Sequence, residues 1–169
     1  IKRELLLIAI LGAVLRVFRY ASRPFYVDER VGTYRFSGFT PVELFQSLPY
    51  LDTHPPLYYL LMHYWRGIFS SSLASTRFLS VIFGVLTILG IYFVTEEITN
   101  VQAAFIASFV LAISPYHIAV SQYARQYALF TCTIAFSFYF LIRLFDDLST
   151  INKAGYILTT AVMASVHIY

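Results

Sequence analysis

Three clusters in this sequence carry groups able to do chemistry. Asp28 and Glu29 are adjacent acids. Asp52, His54, Pro55 and Pro56 fall within LDTHPPLYYLLMHYW, where an acid, a histidine and two prolines precede an abruptly apolar run. Gln122, Arg125 and Tyr127 fall within SPYHIAVSQYARQY. A carboxylate can take a proton from a hydroxyl or bind a hard cation, and an arginine fork matches the oxygens of a phosphate. Each cluster also has a plain structural reading. Asp28 and Glu29 can be two solvated loop acids, the commoner fate of such a pair. His54 can be a helix-start residue bonded to the backbone. The two prolines nevertheless fix their own φ and hold the residue before them extended, so its side chain is aimed rather than free. Arg125 can pair with a loop carboxylate, Asp28 or Glu29, instead of a phosphate, because an arginine beside an apolar run needs a partner. His63 and His117 read as interfacial or packing residues.

The elements that must hold these groups are membrane helices. Of 169 residues, 59% are hydrophobic and only 12% charged, too apolar for a soluble domain. The apolar residues come in blocks of membrane-spanning length. The fold class expected is all-α, a polytopic transmembrane bundle forming one domain. Spans are expected over about residues 5–20, 78–94, 101–120, 128–144 and 156–169, with residues 21–77 an outer-face loop carrying juxtamembrane helices. Within that loop, Thr40-Pro41-Val42-Glu43 has the form of a helix start: a capping threonine, proline in the first turn and an acid at the third position. Residues 57–69 fall short of the roughly 20 apolar residues of a crossing, so they read as a juxtamembrane or half-inserted helix, with a true crossing as the alternative. Arg16 and Arg19 lie near the far end of the first span and read as interfacial anchors that snorkel to water.

Lys2 and Arg3 before the first span suggest a cytoplasmic start. If residues 57–69 do not cross, all three clusters reach the outer face, and Arg143 and Lys153 stay inside. The bias is thin, because Arg66 and Arg77 then lie outside. Net charge is +3 and the basic residues are scattered, which gives no tract for nucleic acid. Cys132 is the one cysteine, so neither a disulfide nor a cysteine metal cluster is expected. The chain starts at Ile1 and stops inside an apolar run. It is expected to be the N-terminal part of a longer protein and inactive alone.

Taken together, the clusters resemble a known family. YVDE after the first span, LDTHPPLYYLLMHYW, SLASTRFLSVIFGVLTILGIYFV and ISPYHIAVSQYARQYAL occur in an order similar to the N-terminal part of membrane-embedded C-type glycosyltransferases. The nearest group is that of the dolichyl-phosphate-mannose–protein mannosyltransferases and aminoarabinose transferases, and the likeness runs over nearly the whole chain. The resemblance implies an outer-face or lumenal site, in a plasma, inner or endoplasmic reticulum membrane. There a sugar moves from a polyprenyl-phosphate donor to a hydroxyl acceptor on protein, lipid or glycan, with inversion. It implies Asp28 as the catalytic base with Glu29 beside it. It implies substrate contacts from Asp52, His54, Pro55, Pro56, Gln122, Arg125 and Tyr127. It leaves a divalent metal open, with Asp28 or Glu29 as the ligand. The family's second-loop pattern often reads SQEAR followed by a bulky apolar residue. This chain instead has Tyr123 at the acid position and Gln126 at the apolar one, so any metal or sugar contact made by that acid is made differently here or not at all. Two other classes remain: a transporter or flippase-like protein whose polar groups line a path, and a non-catalytic scaffold whose acids and arginines merely pair.

Overall fold

A computed structural model describes residues 3–30, 36, 38–52 and 54–167. Lys2 and the last two residues of the final expected span lie outside the described residues. Among the described residues the chain is all-helical: α1 (Arg3–Val17), α2 (Val27–Arg30), α3 (Pro41–Leu51), α4 (Leu57–Ile68), α5 (Leu73–Ile98), α6 (Val101–Ile113), α7 (Pro115–Ser121), α8 (Tyr127–Asp146) and α9 (Thr150–Ala164).

Local chemistry sets the helix ends. The Thr40 hydroxyl accepts from the Glu43 N–H at 3.3 Å, while the Glu43 carboxylate accepts from the Thr40 N–H at 2.7 Å. This reciprocal box starts α3, with Pro41 in its first turn. Asp52 closes α3 in extended geometry, and Pro56 opens α4. Ser72, Asn100 and Ser149 cap α5, α6 and α9 through their side-chain oxygens.

The expected span over 101–120 is two helices. Pro115 holds Ser114 extended and cannot donate back into α6. Ser114 instead caps α7, and the two axes bend by 64°. By length and composition, α5 and α8 can each cross a membrane, and α6 with α7 makes a third if the bent pair is one span. The described parts of α1 and α9 have 15 residues each, and α4 has 12.

The bundle is built on α5, which packs against α8, α6, α1, α7 and α4, while α8 also carries α9. The helices alternate in direction. The end of α1, the start of α5, the end of α6, all of α7, the start of α8 and the end of α9 therefore share one end of the bundle. At that end, Tyr58, Met62, Leu79, Leu129 and Val166 form one apolar core. A second core, of Phe36, Leu44, Leu48 and Tyr59, seats α3 against α4. At the opposite end Arg143 pairs with Glu97 at 3.1 Å. Outward-facing Leu6, Ile10, Val14, Ile106, Val110, Ile157 and Leu158 are more than half, or about half, exposed, as a lipid-facing surface requires.

Arg16 corrects the expectation of an interfacial anchor. It is wholly buried. Its guanidinium donates to the carbonyls of Gly12 (2.9 Å), Ala112 (3.0 Å) and Leu111 (3.2 Å), to Ser121 Oγ (3.2 Å), and to His117 Nδ1 (2.7 Å). The break at Ser114 leaves the last carbonyls of α6 short of donors, Leu111 keeping only the Ser114 N–H at 3.3 Å, and Arg16 supplies the rest. Gly84 of α5 makes the space. A Cβ there would overlap Ser121 Oγ and come within 3.1 Å of Arg16 Nε. Gly84→Ala is therefore expected to destabilise the protein by about 1–3 kcal/mol through overpacking, read as a lower melting temperature. An unchanged melt would show that the α5–α7 contact is loose.

Candidate functional site

The site grows from the turn after α1. α2 is a single turn, and its two acids diverge. Glu29 is fully buried. Arg77, in the first turns of α5, grips it with two bonds: Nε to Oε1 at 2.8 Å and Nη2 to Oε2 at 2.6 Å. The Ala124 N–H donates to Oε1 and the Tyr26 N–H to Oε2, both at 2.9 Å. Arg77 also donates to the carbonyls of Tyr20, Arg23 and Pro24. One ion pair thus bolts α2, α5 and the loop 122–126 together. Asp28, one residue earlier, is exposed.

Arg125 lies behind this turn and is 6% exposed. Its Nη1 donates to the Asp28 carbonyl and to the Tyr59 hydroxyl, each at 3.4 Å. The same nitrogen lies 3.7 Å from Asp52 Oδ2, while Nε is buried without a partner. Arg125 thus lies beside a loop carboxylate, as its plain structural reading has it, but the residue is Asp52 and not Asp28 or Glu29.

The junction of α3 and α4 carries the second cluster. Asp52 Oδ1 meets His54 Nδ1 at 2.6 Å and accepts from the His54 N–H at 3.2 Å, and Oδ2 accepts from the Tyr59 hydroxyl at 2.7 Å. Pro55 and Pro56 hold this turn, so the imidazole is oriented by a carboxylate and not free. Burial alone would push the Asp52 carboxyl up. The hydrogen bonds from Tyr59 and His54, with Arg125 nearby, together hold it below the ordinary carboxylate value. A depressed carboxyl stabilises the fold above its unfolded pKa of about 3.9, and that stability is lost as pH falls through the folded value. Tyr59→Phe removes one donor. It is expected to cost about 1–3 kcal/mol and to start the acid-side loss of stability at higher pH. A pH series of melts checks this, and an unshifted acid limb would remove Tyr59 from the network.

Gln122 does something the sequence did not suggest. Its Nε2 donates to the carbonyls of Arg16 (3.0 Å), Phe18 (3.1 Å) and Leu15 (3.4 Å), capping α1. Tyr127 opens α8 and stacks on Tyr123 with ring centres 6.4 Å apart. Both border a cleft of about 1100 Å³ that also reaches Tyr26, Arg77, His117 and His167.

The family model described as dolichyl-phosphate-mannose-protein mannosyltransferase matches residues 53–168, more than half of the chain. The chain belongs to this family. It is a membrane glycosyltransferase of the mannosyltransferase type. No curated protein and no solved structure gives a significant match. The matched span holds His54, Pro55, Pro56, Gln122, Arg125 and Tyr127, whereas Asp28, Glu29 and Asp52 precede it.

Two of the three acids of the cluster are already engaged by protein donors. Glu29 already takes four donors, and Asp52 holds His54 and Tyr59. Among the described residues no three His, Cys, Asp or Glu side chains converge. Residues missed from sequence are Arg16, Tyr59 and Arg77. The one available signal for Arg77 was a charge at the head of an apolar helix, which by itself names no partner.

Proposed function

We propose that this site transfers a sugar from a polyprenyl-phosphate donor to a hydroxyl acceptor on the outer face of the membrane, with inversion and with Asp28 as general base. The observation that carries this is the division between the two acids. Glu29 is locked and Asp28 is left exposed on the same turn, beside a buried Arg125 whose Nε has no partner. In this mechanism the acceptor hydroxyl gives its proton to the Asp28 carboxylate. Its oxygen forms a bond to the anomeric carbon from the face opposite the phosphate. The bond from that carbon to the phosphate oxygen breaks, and the phosphate leaves with the electron pair. A phosphate needs little protonation to leave, but its charge needs a cation, and Arg125 supplies one in a poorly hydrated place.

The end that gathers these groups is opposite the end bearing Arg3, Arg143 and Lys153, but it carries Arg19, Arg23, Arg30, Arg66, Arg77 and Arg125 itself, so the outer face rests on the likeness to the family and not on the positive-inside rule. Arg16 and Arg77 are saturated by protein oxygens and Glu29, so they favour a built site over a transport path. The test supplies radiolabelled polyprenyl-phosphate sugars to membranes holding the intact protein and follows label into protein, lipid and glycan fractions. Label in one fraction names the acceptor class. Folded protein that transfers from no such donor would overturn the proposal in favour of a transporter.

A further inference from the structure

Between a base and a phosphate partner, the sugar ring of the donor also needs a seat. A run of aromatic rings lines the cleft at the same end of the bundle. Tyr26 and Tyr123 have ring centres 5.4 Å apart, Tyr123 and Tyr127 stack at 6.4 Å with planes 21° apart, Tyr127 lies 6.5 Å from His167, and His167 stacks on Phe130 at 4.8 Å. All five side chains line the same cleft of about 1100 Å³. They come from three separate parts of the chain: the turn after α1, the loop into α8 with its first turn, and the end of α9. The fold, not local sequence, makes the wall.

Its position is specific. Tyr26 stands two residues before Asp28, and Tyr123 stands two residues before Arg125. Partial burial raises the Tyr123 phenol, and the charges of Asp28 and Glu29 raise it further.

We infer that this aromatic wall, centred on Tyr123, seats the sugar ring of the donor and sets which sugars are accepted. The inference deepens the proposed transferase function and rests on it. A pyranose presents a face of C–H groups that lies flat on a tyrosine ring, and its hydroxyls point outward to polar neighbours. Tyrosine suits both demands, because its body is apolar and its tip is polar. The rim here is polar as well: the Arg23 guanidinium reaches the Tyr26 hydroxyl at 3.4 Å. The same cleft also has Leu15, Ile118 and Val120 on its wall, which suit an isoprenoid tail, whereas the three phenols and the imidazole suit the sugar. A stacked face discriminates by shape, so a sugar whose C–H face is interrupted by an axial substituent is bound less well.

The experiment measures binding of two short-chain lipids to the intact protein in lipid nanodiscs: polyprenyl-phosphate mannose and the same polyprenyl phosphate without sugar. Wild type, Tyr123→Leu and Tyr123→Phe are compared. The wild type is expected to prefer the sugar-bearing lipid. Tyr123→Leu is expected to weaken binding of that lipid by about tenfold, the scale of one aromatic contact. Its binding of the sugar-free lipid is expected to be unchanged, which also shows that the variant is folded. Tyr123→Phe keeps the ring and is expected to recover most of the lost preference. Equal weakening of both lipids in Tyr123→Leu would assign the wall to the carrier chain and overturn the inference, as would a preference untouched by the leucine. A wild type that binds neither lipid would overturn the transferase function itself, and the inference with it.

Discussion

Asp28→Asn is expected to reduce sugar transfer by about 10²–10⁴-fold, the usual contribution of a positioned general base. The amide has the carboxylate's shape but cannot take the acceptor's proton. Asp28 is exposed, so the change should alter stability by no more than about 0.5 kcal/mol. Donor binding should also persist, because the phosphate partner in this account is Arg125. The measurement is the initial transfer rate at saturating donor, with a melt of the same preparation. A rate close to wild type would remove Asp28 from the chemistry and would leave the scaffold reading in play.

The second large effect concerns Arg77. Arg77→Met leaves the Glu29 carboxylate buried beside a thioether. Stranding one member of a buried ion pair costs about 3–5 kcal/mol. It should also free the carbonyls of Tyr20, Arg23 and Pro24 and loosen α2 from the loop that carries Arg125. Both stability and transfer are expected to fall. Glu29→Gln in the same background should restore part of the stability, since the stranded charge is then gone. If the double variant instead melts at the temperature expected from adding the two single losses, the residues act independently and the clamp is not a unit.

These two expectations show where the sequence is legible. The helix start at Thr40 was readable because its bonds run three residues along the chain. The break after α6 is made by Pro115 on its own neighbour, yet the apolar run through residues 101–120 masked it. The acids at 28 and 29, the HPP turn and the loop around Arg125 were recognisable as clusters because each is short and compositionally odd. What the sequence does not carry is the division of labour inside a cluster. Glu29 and Asp28 are chemically near-equivalent until Arg77, 48 residues away, selects one of them. Arg16 looked like an interfacial residue because its partners are carbonyls of α6, about a hundred residues off, and carbonyls leave no mark in a sequence. Gln122 was grouped with Arg125 by proximity along the chain, whereas its amide turns back to cap α1. In each case the deciding bond is long-range and made to backbone or to a side chain of ordinary type.

The central claim is that the site at this end of the bundle takes its sugar from a polyprenyl phosphate and uses Asp28 to activate the acceptor. The most direct measurement gives the purified intact protein either polyprenyl-phosphate mannose or a nucleotide-linked mannose, each labelled, with a mixture of protein, lipid and glycan acceptors. Wild type and Asp28→Asn run side by side. The account predicts label transfer from the lipid-linked donor alone, and its near-complete loss in the variant. Transfer from the nucleotide sugar, or transfer from the lipid donor that survives Asp28→Asn, would contradict it.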